Sequence, residues 1–202
     1  MALYTWPASL KPQKVMWRLR TNAIRSPSMF TGVSQVAVMP GSLWEVNMEF
    51  TGHLTRFRRE HEAFFLSIRG PADIVWMPAP DRPIPRGTMR GAPTLATQMG
   101  VGVKTATIVT TAGATLLAGD FVSIGTYLFM VRVNAVANGA GLMSVEFVNA
   151  AKVTRAAGTP VEWDRPHTGF LMDTDFSGML NTPAGISDGF AVTLIENFGV
   201  GA

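Results

Sequence analysis

Residues 116–148 read LLAGDFVSIGTYLFMVRVNAVANGAGLMSVEFV, and this stretch decides the fold class. Residues 121–124 (FVSI) are a first apolar run, broken at Gly125-Thr126. Residues 127–133 (YLFMVRV) are a second, rich in aromatic and β-branched side chains, closed by Asn138-Gly139-Ala140-Gly141. In residues 142–148, Met143, Val145 and Phe147 alternate with Ser144, Glu146 and Val148. Alternation at period two between turn residues predicts three half-buried antiparallel strands. Gly119-Asp120 before the first run suits a tight turn with positive φ. A three-stranded meander cannot bury both of its faces alone, so the expectation is a small barrel or sandwich.

The surrounding composition sets this stretch apart. The chain has 202 residues, 47% hydrophobic and only 15% charged, against about 25% charged in typical soluble domains. No apolar run of about 18 residues is present, so no membrane span is expected. Met1 to Trp6 followed by Pro7 does not read as a secretory signal. Cysteine is absent, which excludes disulfides and thiolate metal sites. The net charge of +3 hides an asymmetry: residues 1–90 carry +6, residues 91–151 balance with two charges of each sign, and residues 152–202 carry −3. A diffuse basic excess without clustering is not the footprint of a nucleic-acid interface. Sparse charge points instead to surface hidden between subunits.

Taken in order, Val15, Trp17 and Leu19 alternate with Met16, Arg18 and Arg20, predicting a strand. Residues 22–32 read as a loop. Residues 33–39 predict a second strand, Pro40-Gly41 a hairpin turn, and residues 44–50 a strand with Trp44, Val46, Met48 and Phe50 on one side. From Leu54 the period changes. Leu54, Phe57, His61, Phe64, Phe65 and Ile68 form one helical stripe, capped by Thr51 or Thr55 and stopped at Gly70-Pro71. Residues 74–77 predict a strand, and four prolines in residues 78–85 an ordered connector. Residues 95–98, 101–103 and 107–110 start the low-charge block. Residues 158–166 lead out of it, and residues 170–172 and 190–197 supply the last strands.

Catalytic chemistry is sought and not found. His53, His61 and His167 are too scattered to predict a metal site. Asp173-Thr174-Asp175-Phe176-Ser177-Gly178 matches the start of a calcium loop, but Ala184 stands where a bidentate Glu belongs, so a polar turn is expected. Gly100-Val101-Gly102-Val103-Lys104-Thr105 lacks the glycine before Lys that a phosphate loop requires. No Gly-x-Ser-x-Gly elbow occurs. Arg56, Arg58 and Arg59 with Glu60 and Glu62 predict a solvated or inter-subunit helix face. The expectation is no enzyme, and no catalytic, cofactor or metal site.

One set of strings carries a resemblance. It comprises the N-terminal strand with Trp17, Pro40-Gly41-Ser42-Leu43-Trp44-Glu45, and Phe65-Leu66-Ser67-Ile68-Arg69-Gly70. It continues through Arg82-Pro83-Ile84-Pro85-Arg86-Gly87, Leu117-Ala118-Gly119-Asp120-Phe121-Val122-Ser123-Ile124-Gly125, and the closing Glu196-Asn197-Phe198. Over nearly the whole chain these resemble the distal tail proteins of long-tailed (siphovirus-type) bacteriophages. That resemblance implies a mainly β fold with one helix. A tail-tube-like β-sandwich base would span residues 1–82 and 166–202, with a small β-barrel inserted at 88–163. It implies a structural adaptor in the virion, a ring of six copies at the distal end of the tail. Its partners would be the tail-tube protein, the tail-tip hub and other baseplate proteins, without membrane or specific nucleic acid. Two other classes stay open. A carbohydrate- or single-strand-binding barrel would need stacking aromatics and a basic groove, and the middle block offers only Phe121, Tyr127, Phe129 and Phe147 with Lys104 and Arg132, most of them at positions that read as buried. A hydrolase would need a pocket of perturbed carboxylates.

Overall fold

Alternating apolar residues in the first and last thirds of the chain meet in one six-stranded sheet, seen in a computed structural model that describes residues 2–27, 29, 32–50, 55–173, 190–197 and 199. Its strands are β1 (Leu3–Thr5), β2 (Lys14–Pro27), β3 (Ser34–Phe50), β4 (Ile74–Pro78), β13 (His167–Met172) and β14 (Phe190–Glu196). They lie in the order β1-β4-β13-β14-β3-β2. β1 runs parallel to β4, and the other pairs are antiparallel. Between β4 and β13 the chain forms β5 (Thr94–Leu95), β6 (Thr105–Val109), β7 (Thr115–Leu116), β8 (Phe121–Ile124), β9 (Tyr127–Met130), β10 (Ala135–Val136), β11 (Leu142–Glu146) and β12 (Val161–Glu162). These make three small sheets, β10-β7, β11-β6-β5 and β12-β8-β9. Among the described residues the protein is mainly β with one α-helix.

β3 behaves as its alternation predicts: Trp44, Val46, Met48 and Phe50 are buried, and Glu45, Asn47 and Glu49 lie on the opposite face. The Pro-Gly hairpin expected at residues 40–41 does not form. β3 runs through it, and the hairpin partner is β2, whose ladder continues from Asn22↔Met39 to Pro27↔Ser34 across residues expected to be a loop. Pro40, Gly41 and Ser42 stand opposite Thr21 alone, between the pairs Arg20↔Leu43 and Asn22↔Met39. Pro40 has no N–H to give the ladder, and Gly41 takes φ +127°, so these residues bulge rather than turn.

The helix α1 (Thr55–Ser67) lies on the stripe and ends just before the expected stop, with a 3-10 turn at Gly70–Ala72 after it. His61, Phe65 and Ile68 are buried and Phe64 packs beside them, against Trp6 and Phe50 of the sheet. The side chains of Phe57, Arg56, Arg58 and Arg59, and residues Thr51 and Leu54, lie outside the described set. β1, unread in the sequence, is held by Asp73, which accepts the Ala2 N–H at 2.8 Å and pairs with Arg69. The Arg69 guanidinium keeps that carboxyl well below the usual carboxylate range.

The expected meander is only half right. β8 and β9 do form a hairpin across Gly125-Thr126. β11 pairs instead with β6, and meets the end of the second run at the bridge Val131↔Phe147 and the Arg132–Glu146 ion pair beside it. The reason lies in burial. All of β8, and Tyr127, Leu128 and Phe129 of β9, are buried rather than alternating with solvent. Val122, Ile124, Tyr127 and Phe129 point into one apolar cluster with Ile108, Leu116, Met143, Val145 and Phe147. Phe121 and Leu128, with Met130 packed alongside, point into the other, with Trp44, Val46, Val75, Met77 and Phe170. The β8–β9 hairpin is a wall shared by two cores. Phe121 sits 5.0 Å from the Trp17 ring and 5.6 Å from that of Trp44.

Because Phe65 is enclosed and Phe64 only partly so, Phe65→Ala is expected to cost about 3–5 kcal/mol, and Phe64→Ala less. Thermal melts of the two variants check this; equal, negligible shifts would contradict the packing of α1.

Candidate functional site

Among the described residues no three His, Asp or Glu side chains come together as a metal site. His61 is buried on the helix, and His167 Nδ1 lies 3.2 Å from Glu162 beside Trp76. His53 and residues 174–189 lie outside the described set, so the calcium-like string is represented only by exposed Asp173. The glycines of residues 100–105 form a turn, Val103 N–H donating to Gly100 O at 3.3 Å, and a strand follows rather than the helix a phosphate loop needs. Phe121, Tyr127, Phe129 and Phe147, the aromatics proposed for base or sugar stacking, are all buried.

What the structure does bring together are the two strings that carry the resemblance. Asp120, buried, accepts the backbone N–H groups of Arg86 (3.1 Å), Gly87 (3.1 Å) and Leu117 (2.9 Å). Arg82 Nη1 donates to Gly119 O at 3.0 Å, Arg86 Nη2 donates to Ala118 O, and the Arg82 guanidinium lies over the Phe121 ring. Gly87 is required by contact: a Cβ there would fall 2.1 Å from Thr115 O. Connector and turn thus close on one another around an open cleft of about 540 Å³ lined by Asp81, Arg82, Ile84, Arg86 and Gly119.

A second junction lies under the shared hairpin. Lys152 and Glu196 form an ion pair whose side chains are 1% and 0% exposed. Glu196 also accepts the Trp44 N–H at 3.0 Å and lies 3.4 Å from Thr168 Oγ1, which donates to Thr126 O at 2.9 Å. Trp44 Nε1 donates to Leu128 O at 3.1 Å, and Asn149 Nδ2 donates to the same oxygen at 2.9 Å. Burial pushes the Glu196 carboxyl up and the Lys152 ammonium down, and each partner's charge opposes the other's shift. Neither residue was singled out in the sequence, although a signal existed. Glu196 is in phase with Phe190, Val192 and Leu194 on a strand whose inward positions are apolar.

The third feature is unsupported rather than buried. Among the described residues β14 covers β3 only over Glu45–Phe50, so beyond Leu43 the ladder there is β2 and β3 alone. Thr21, Ala23, Arg25, Ser26, Pro27, Gln35, Val36 and Ala37 are exposed along this arm. A two-stranded ribbon is marginal in water by itself, and β2 is a sheet edge with unpaired backbone groups.

No protein-family model matches this chain, and no curated protein matches its sequence.

Removing one member of the buried pair strands the other's charge, so Glu196→Leu or Lys152→Met is expected to cost about 3–5 kcal/mol, and the combined Lys152→Met/Glu196→Leu change much less than the sum. Denaturant melts of the four proteins give the cycle. Additive losses would contradict a coupled pair.

Proposed function

We propose that the chain is a structural subunit of a phage-type tail, a ring-forming adaptor at the distal end of the virion's tail that joins the tail tube to the tip and baseplate. The observation that carries this reading is the two-stranded arm, residues 20–27 against 34–43, which has no third strand among the described residues. A soluble monomer gains nothing by projecting such a ribbon, whereas a neighbour that receives it buries its edge. The closure of Arg82-Pro83-Ile84-Pro85-Arg86-Gly87 on Ala118-Gly119-Asp120 adds support, since the strings that suggested the family make one structural unit.

On this reading residues 1–82 and 166–202 are a tail-tube-like base. Its six-stranded sheet is one layer of a sandwich, with α1 and the β8–β9 hairpin as the other. Residues 88–163 are the inserted small barrel, whose β8–β9 hairpin faces its own core on one side and the base on the other. The subunit acts as scaffold and not as enzyme. Its partners are other copies of itself, the tail-tube protein, and the hub and baseplate proteins; neither a membrane nor specific nucleic acid is among them. Six copies is the number the family resemblance implies.

A second reading, a carbohydrate-binding module, is favoured by one feature. A shallow cleft of about 460 Å³ runs between residues 91–94 and 160–164, with Trp163 flanked by exposed Glu162 and Asp164. One face of that indole is taken by the Arg90 guanidinium, 4.8 Å from the ring centre, which weakens it as a sugar platform.

Light scattering of the purified protein, with negative-stain images, tests the assembly. Closed rings with a central hole are expected, alone or with tail-tube protein. A strict monomer at tens of micromolar under both conditions would overturn the adaptor and promote the binding module.

A further inference from the structure

Lys152 and Glu196 are the two deepest members of the junction between the sheet and the block that precedes β13. Lys152 follows β11 in the chain, and Glu196 is the last residue of β14, an inner strand of the six-stranded sheet. Their side chains are 1% and 0% exposed. Lys152 Nζ contacts Glu196 Oε2 and has no other polar partner among the described residues. The Tyr127 ring, with its centre 5.3 Å from Nζ, forms a wall beside it. A primary amine is thus enclosed against a single carboxyl group.

That carboxyl is held at both oxygens. Oε2, which faces Nζ, also accepts the Trp44 N–H at 3.0 Å. Oε1 lies 3.4 Å from Thr168 Oγ1, and this hydroxyl is fixed in turn by donating to Thr126 O at 2.9 Å. Two reacting groups held in contact by a rigid frame have the high effective concentration that favours acyl transfer within one chain. Burial disfavours the charged form of each group, so the Glu196 carboxyl is pushed up and the Lys152 ammonium down. In the neutral pair the amine carries a free lone pair and is a nucleophile, and the carboxylic acid has an oxygen that can leave as water.

We propose that Lys152 and Glu196 condense to an isopeptide bond, a covalent strap between the block of residues 88–163 and the last strand of the sheet. One proton of the ammonium passes to Oε1. The Nζ lone pair then attacks Cδ, and Oε2 carries the developing negative charge beside the Trp44 N–H. The Cδ–Oε1 bond breaks, and Oε1 leaves as water with a second proton from Nζ. One N–H remains on the amide, and the balance closes without a further reactant. Two desolvated charges become one neutral group, which removes the cost of keeping them buried. The bond forms within one copy of the chain and does not depend on the assembly reading.

Mass spectrometry of the purified wild-type chain, kept at room temperature until its mass stops changing, is expected to show one water less than its sequence. Trypsin locates the loss. An unbonded chain is cut after Arg132, Lys152 and Arg155 and gives 133–152, 153–155 and 156–202, since Arg165 precedes Pro166. A bonded chain resists cleavage at Lys152 and gives one branched species, 133–155 joined through Lys152 to Glu196 of 156–202. Lys152→Arg keeps a cation but offers no amine, so its full mass and ordinary peptides are expected. A wild-type chain at full mass, or one whose lost water maps elsewhere, such as a succinimide at Asp188-Gly189, would overturn the bond and leave the pair non-covalent. The same loss in Lys152→Arg would overturn it as well.

Discussion

The structure depends on a short hairpin with no wet side. β8 and β9 put their apolar side chains into two separate clusters, Val122, Ile124, Tyr127 and Phe129 into one and Phe121, Leu128 and Met130 into the other. Burial on both faces is worth about 25 cal/mol for each Å² of apolar surface removed from water, and here both clusters draw on the same few residues. The segment between β4 and β13 is therefore not a bead on a string. Excising residues 88–163 takes Phe121 and Leu128 away from Trp17, Trp44 and Phe170 and leaves that side of the sheet uncovered. The buried Lys152–Glu196 pair and the Asp120 clamp fix the same junction from two sides, one by charge and the other by backbone hydrogen bonds.

Much of this was legible in residues, and the failures share a physical cause. Strict alternation found the part of β3 that lies in the body of the sheet, because Trp44, Val46, Met48 and Phe50 face one core and water is on the other side. The 3.6 period found α1 for the same reason. Where both faces are dry, as in β8 and β9, the signal becomes a continuous apolar run, and a run does not say which strand comes next; so β11 was placed beside β9 when it belongs beside β6. The Pro40-Gly41 pair has strong local turn chemistry, but the long ladder with β2 overrides it and absorbs it as a bulge. β1, three residues long, has no pattern of its own and exists because β4 and Asp73 provide its hydrogen bonds. The Lys152–Glu196 pair was not legible, since a single charge in phase with an apolar strand face carries meaning only when its partner, far along the chain, is known.

On the adaptor reading proposed above, two cores that share a wall would carry load without an internal joint, and the low charge would suit surfaces covered by neighbouring subunits. The basic first half and acidic last part of the chain would set register and speed of association more than its strength.

The central claim, that one hairpin welds two cores into a single cooperative unit, is most directly tested by differential scanning calorimetry of the intact protein at a concentration low enough to keep it unassembled. One transition whose calorimetric and van't Hoff enthalpies agree is the expected result. Two resolved transitions, with residues 88–163 melting apart from the six-stranded sheet, would contradict it.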